Sequence, residues 1–303
     1  MLLRVEAILL VLLAILLAGP VATVFARASW PRKAPRAALV LWQAVGLACG
    51  LSILGAGLTL AAPDIGGHWL QDLGGLYDHR NRLGLIGWSG IALTVLVGAW
   101  LVAVFVASST RIVLRRRAHR RILDLVAADG VPSGVRMLDH PVATAYCVPG
   151  FRPRIVLSSG VFEVLDDSEL QAVLAHERAH ARGRHDLVVQ PFIAWRDTFP
   201  FLRSARTGLA AVEQLVEMLA DDAAVRRCGM PTLCRSLERL DAARIADPDG
   251  MDRAGAARAV GQLDARLLRL SRPRPRLGLL ASAGIYLGSL LLVCVPPAIL
   301  LCS

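Results

Sequence analysis

Five consecutive residues carry the strongest chemistry in this sequence: His176-Glu177-Arg178-Ala179-His180, an H-E-x-x-H spacing. Side chains four apart share one face of a helix, so both imidazoles can reach a single metal ion. Glu177 projects beside them, where its carboxylate can hold a water and take its proton. The bland alternative is a polar helix face with two solvated histidines. The residues just ahead argue against it. Leu170, Val173 and Leu174 form an apolar stripe, which predicts a helix packed on the core with His176 drawn inward.

A hydrolytic zinc site needs a third protein ligand and one open position. Glu217 and Asp221, in the run Glu217-Met218-Leu219-Ala220-Asp221, are again four apart on one helix face. Alone, Glu217 would read as a surface carboxylate on an amphipathic helix. Beside an H-E-x-x-H it reads as the third ligand, and Asp221 as the acceptor for the outer N–H of a ligand histidine. The expected metal ligands are therefore His176, His180 and Glu217, the cofactor Zn2+, and the general base Glu177. Other candidates are weaker. His185 reads as solvated, His140 as structural in the turn before Pro141, and Tyr146 as core packing. His68 and His79 fall on the opposite side of the membrane in the topology below. None of the six cysteines forms a C-x-x-C pair, so neither a disulfide framework nor a thiolate zinc site is expected.

The elements that must position these residues follow from pattern and punctuation. Ser168, with Asp166 and Asp167 beside it, is the expected N-cap of the motif helix. Helices are expected at about 119–128, 207–227 and 232–245. Strands are expected at 135–138, 143–148 and 154–157, separated by Pro141, Pro149-Gly150 and Pro153. A substrate backbone is expected to add to the sheet edge near Arg154–Leu157. Asp247–Gly250 reads as a loop, and Arg266–Arg276 as a basic stretch.

Around this domain the chain is too apolar for an ordinary soluble protein, with 55% hydrophobic residues. Four runs are long enough to cross a bilayer, at about 7–25, 38–62, 83–107 and 277–301. The division expected is a membrane region (1–107), a cytoplasmic α+β zinc domain (108–276) and a last span (277–303). The net charge of +10 reads as topology and contact with membrane lipid rather than nucleic acid. Arg27, Arg32, Lys33 and Arg36 hold the loop after the first span inside, and Arg111, Arg115, Arg116, Arg117, Arg120 and Arg121 do the same after the third. Both termini are then extracytoplasmic. The first span is read as retained rather than as a cleaved signal, although Ala26-Arg27-Ala28 is an A-x-A-like site. The loop 63–82, with Asp64, Asp72 and Asp78, suits the outside.

Arg152-Pro153-Arg154-Ile155-Val156-Leu157, Leu170 to His180, Asp186 and Glu217 to Ala224 resemble the membrane metallopeptidases of the BlaR/MecR, β-lactam-sensor type. Three spans before the zinc domain and one after it is also that family's layout. The resemblance implies a glutamate-zincin (gluzincin) fold. It also implies regulated proteolysis as an antirepressor: a cytoplasmic repressor of winged-helix type, or the peptidase itself, is cut in signal transduction. Those sensors continue past the last span into an external penicillin-binding domain; this sequence stops at Ser303, and the reading is of the same type without that domain. The HtpX-like membrane zincins share both motifs but are expected to place spans between them, where this chain has Arg182, Arg184, Asp186, Arg196, Asp197 and Arg203. Leu187–Trp195 and Phe199–Leu202 are read as lying against the bilayer surface. A quality-control protease, or a scaffold that binds zinc without cutting, are the rival readings; Glu177 speaks against the second. Self-association is left open.

Overall fold

The computed structural model describes residues 2–60, 84–130, 134–245, 263–271 and 277–301. The expected outer loop 63–82, with His68 and His79, the loop 247–250 and the prolines of the 272–276 stretch lie outside the described residues. The chain divides into two compact units. One holds 1–108, 192–212 and 276–303, the other 109–191 and 213–275.

In the first unit, α1 (Leu2–Leu16) continues through a widened turn, Leu17–Val21, into α2 (Ala22–Arg27). Pro20 sits in that turn, where its missing N–H and its ring oppose regular α-helix. A short 3-10 turn, Trp30–Lys33, leads to α3 (Pro35–Thr59). Four helices among the described residues are long and apolar enough to cross a membrane: Val5–Arg27, Pro35–Thr59, Leu85–Val126 and Leu279–Leu301. Ala14, Leu17, Val45, Ala48 and Cys49 form a buried cluster, with Trp195 and Leu292 against it. Phe192 meets Trp42 edge-on at 6.2 Å between ring centroids. Phe192 and Trp195 are thus packed inside the unit rather than lying on a free surface, whereas Phe201 is exposed.

The third apolar run is only the start of α4 (Leu85–Val126), a single helix of 42 residues. The helices expected separately at 83–107 and 119–128 are one. Val126 passes directly into β1 (Ala127–Gly130), followed by β2 (Val135–Leu138), β3 (Ala145–Val148) and β4 (Arg154–Ser158). The sheet runs in the order β1-β2-β4-β3. β4 pairs parallel with β2 and antiparallel with β3. The expected docking edge near Arg154–Leu157 is therefore wrong: β4 is interior, its ladder taken on both sides, and the open edges are β1 and β3. Ser158 N–H donates to Thr144 C=O at 3.0 Å. With the register Tyr146↔Val156, alternation directs the main-chain groups of Thr144, Tyr146 and Val148 toward β4 and those of Ala145 and Cys147 outward.

The second unit stacks helices on both faces of this sheet. Leu123 of α4 packs with Val148 and Val156 on one face. On the other, Leu174 packs with Val135, Ile155 and Leu157, with Leu170 and Ala145 beside them. Leu174 belongs to α6 (Asp167–Arg182), which follows the short α5 (Ser159–Val164). Val173 meets Ala143, Val161 and Leu165, so the apolar stripe read from sequence is the buried face. The N-cap is Asp166, not Ser168. Asp166 accepts from Glu169 N–H at 2.9 Å, and Glu169 Oε2 accepts from Asp166 N–H at 3.1 Å, a reciprocal capping box. Ser168 donates to Asp166 at 2.7 Å. The remaining elements are α7 (His185–Thr198), α8 (Arg203–Cys228), α9 (Met230–Ile245), α10 (263–271) and α11 (Leu279–Leu301). Ala172 and Ala175 of α6 pack on Ala224, Leu233 and Leu270, which ties α6 to α8, α9 and α10.

Candidate active site

α6 and α8 bring the predicted residues together. His176 Nε2 lies 3.1 Å from His180 Nε2 and 3.4 Å from Glu217 Oε2. His180 Nε2 lies 3.3 Å from Glu217 Oε1. Donor atoms of these three residues fall within 4.8 Å of one another. Tetrahedral zinc with ligands at about 2.0–2.1 Å separates neighbouring donor atoms by about 3.3 Å. The two imidazoles stand close to that spacing, and each faces a different oxygen of the Glu217 carboxylate at 3.3–3.4 Å, so the donor set fits a small cation in chemistry and in approximate size.

The outer nitrogens of both imidazoles are also engaged. His176 Nδ1 lies 3.1 Å from Oδ1 of the fully buried Asp221, as expected from the E-x-x-x-D spacing. His180 Nδ1 lies 3.1 Å from Nδ1 of His185. His185 is buried, contrary to its reading as a solvated side chain. Asp221 is further clamped by Arg266 of α10, whose Nε and Nη2 reach its two oxygens at 3.0 and 2.5 Å. Arg266 Nη1 also lies 3.5 Å from Glu217 Oε2. About one turn further along α10, Arg269 donates to Asp222 at 2.9 Å and to Met218 C=O at 3.3 Å.

Arg266 is the residue that sequence reasoning missed. In sequence it belongs to a basic stretch, yet Leu263, Leu267 and Leu270 have helical spacing, which is the signal that points to it. Of the other candidates, Tyr146 is not simply core. Its hydroxyl pairs with His119 Nε2 at 2.9 Å. His140 is structural as expected, its Nδ1 accepting from Val142 N–H at 3.2 Å.

The electrostatics separate the groups sharply. Burial pushes the Glu177 carboxyl up to about 7, with Glu217 adding to the rise and His176, Arg266 and the Cys147 N–H opposing it. That Cys147 donor belongs to the outward edge of β3, so the strand and the carboxylate adjoin. Burial and the charge of His176 hold His180 at about 4, against the pull of Glu217. For His176, burial works against the charge, but Asp221 and Glu217 outweigh it and raise the group to about 9. Burial would raise Glu217; its contacts with His176 and Arg266 prevail and hold it near 2. Asp221, bonded to His176 and Arg266, lies below the usual carboxylate range. With no cation between them, His176 holds the site's proton while His180 is neutral and the α8 carboxylates stay charged; a bound cation displaces that proton, because a ligating imidazole must be neutral.

Residues 114–220 match the family model described as Peptidase family M48. The matched segment covers about a third of the chain and contains the sheet, the motif helix and Glu217. No curated protein and no solved structure matches the chain. The match supports a metallopeptidase, and the apolar helices support a membrane-associated one.

Proposed function

We propose that this chain is an integral membrane zinc-dependent endopeptidase, with His176, His180 and Glu217 holding the ion and Glu177 as general base. The observation that carries this is the convergence of two imidazoles and a carboxylate, one donor atom from each within 4.8 Å of the others, beside a buried carboxyl. Zinc supplies Lewis acidity there, making water a stronger acid and a carbonyl carbon more electrophilic. The chain's own residues do the rest. Glu177, held near neutrality and anchored by Cys147 N–H, takes a proton from the attacking water and returns it to the leaving amine. Asp221 fixes His176 and is itself fixed by Arg266. The substrate backbone adds as a strand to the open edge of β3, where the main-chain groups of Ala145 face outward.

Regulated proteolysis of the BlaR/MecR type is the role this reading favours. The substrate is a cytoplasmic repressor or the peptidase itself, and signalling passes from the membrane to transcription. The motif resemblance and the placing of apolar helices on either side of the zinc domain support it. The test has two parts. Purified protein should carry about one zinc per chain, lost in His176→Ala with His180→Ala. Cells carrying Glu177→Gln should keep the zinc and lose cleavage of a co-expressed winged-helix repressor or of the peptidase itself. Zinc retained by the double variant would remove the ligand assignment, and cleavage retained by Glu177→Gln would favour the scaffold.

A further inference from the structure

His185, the first residue of α7, is placed by three local features. Arg184 takes a left-handed φ of 47°, which turns the chain sharply between α6 and α7. Gly183 stands beneath the imidazole: a Cβ there would run into Nε2 and Cδ2 of His185. The Gly183 backbone, φ −74°, is open to any residue, so the space taken by the ring accounts for the glycine. Asp186, next in the chain, is ion-paired with Arg116 at 2.7 Å, which anchors the first turn of α7. The result is a buried ring whose Nδ1 meets Nδ1 of His180 at 3.1 Å, the two planes inclined at 84°.

We infer that His185 is a positioning residue: it accepts the Nδ1–H of His180 and thereby aims that ring's Nε2 at the metal. This rests on the reading of His180 as a metal ligand. A neutral imidazole carries one hydrogen. When Nε2 gives its lone pair to an ion, the hydrogen is on Nδ1 and needs an acceptor. His185 Nδ1 is that acceptor, and its own hydrogen is then on Nε2, over Gly183. The two histidine ligands are thus held by unlike partners. His176 faces a carboxylate, whereas His180 faces a neutral ring. The neutral partner fixes tautomer and orientation without adding another anion beside Glu177.

The test is zinc affinity of the purified full-length chain, measured by competition with a chelator. His185→Phe fills the space but offers no acceptor, and should bind zinc about 10–100-fold more weakly. His185→Asn sets an oxygen near the place of Nδ1 and should bind close to wild type. Gly183→Ala leaves the backbone allowed but displaces the ring, and should resemble His185→Phe. The visible spectrum of the cobalt-loaded protein should shift in His185→Phe and Gly183→Ala and not in His185→Asn. Wild-type affinity in His185→Phe overturns the inference alone, as does equal weakening in His185→Asn, which would make the ring a packing element. A wild-type chain that takes up no zinc overturns the parent reading, and this one with it.

Discussion

Glu177 is the residue whose change should separate chemistry from binding. Its pKa is held near neutrality, chiefly by burial, and Glu177 is not one of the three residues whose donor atoms converge between α6 and α8. Glutamine keeps its shape but cannot take a proton from water. Glu177→Gln should retain zinc and lower kcat by a factor of ~10² to 10⁴, the usual loss when a general base is removed. Zinc content beside single-turnover cleavage checks both halves. Asp221 tests the orientation of the site. It is fully buried, lies 3.1 Å from His176 Nδ1 and receives both nitrogens of Arg266. Asp221→Asn removes the charge that Arg266 grips with two nitrogens and leaves Arg266 only its longer contact with Glu217. Zinc affinity should fall about 10–100-fold, seen as faster loss of metal to a chelator. An unchanged dissociation rate would mean that Arg266 and Asp221 are tied for stability alone. At this scale the legible part was the part with fixed spacing. Residues four apart on one helix need nothing beyond helical geometry, so His176, His180, Glu217 and Asp221 could be read from the chain. Arg266 and His185 reach the site through tertiary packing and a left-handed turn at Arg184, which leave no short-range period.

At the scale of elements, the motif helix is held by its apolar face, and the edge proposed for substrate belongs to β3. Leu174 is buried against Val135, Ile155 and Leu157. Leu174→Ala should destabilise the zinc domain by about 2–5 kcal/mol, read as a lowered melting temperature or earlier proteolysis at constant zinc. The edge is tested at Ala145, whose N–H points away from β4 by the alternation of the ladder. Proline there removes no ladder bond, which edge strands tolerate, but denies that N–H to an incoming strand. Ala145→Pro should lower kcat/KM about tenfold, the scale of one or two lost backbone hydrogen bonds, mainly through KM and with zinc unchanged. Normal kinetics would move the substrate elsewhere. β3 starts two residues later than its sequence pattern, and β4 is interior rather than an edge, because sequence alternation shows which face is buried and not who the neighbours are. The Ala127–Gly130 strand has little intrinsic β preference and exists through its pairing with β2. The cap was displaced by two residues because Asp166, Asp167 and Ser168 are all good caps; Glu169, three beyond Asp166, selects among them by completing the box.

For the molecule as a whole, the decisive property is the side of the membrane on which the zinc domain stands, and α4 carries the information. Its 42 residues would extend roughly 60 Å at helical rise, about twice the hydrocarbon thickness of a bilayer. The stretch from Leu85 to Val106 is apolar, and the stretch from Arg111 to Arg121 carries six arginines. Only the first part suits hydrocarbon; the second must stand in water or among headgroups. Cationic loops are retained on the cytoplasmic side, so the arginine end, and the sheet that begins at Ala127, should be cytoplasmic. Arg27, Arg32, Lys33 and Arg36, between the first two apolar helices, give the same sign two crossings earlier. A fusion after Ala128 should therefore be active with a reporter that works only in the cytoplasm and silent with one that needs export. A fusion after Leu301 should show the reverse. Replacing the arginines from Arg111 to Arg121 by glutamine should weaken the bias and yield mixed reporter activity, since the remaining signal lies in the first loop. An exported reporter after Ala128 in the unaltered chain would invert the topology. It would remove every cytoplasmic repressor from the range of substrates while leaving the zinc chemistry of His176, His180 and Glu217 intact.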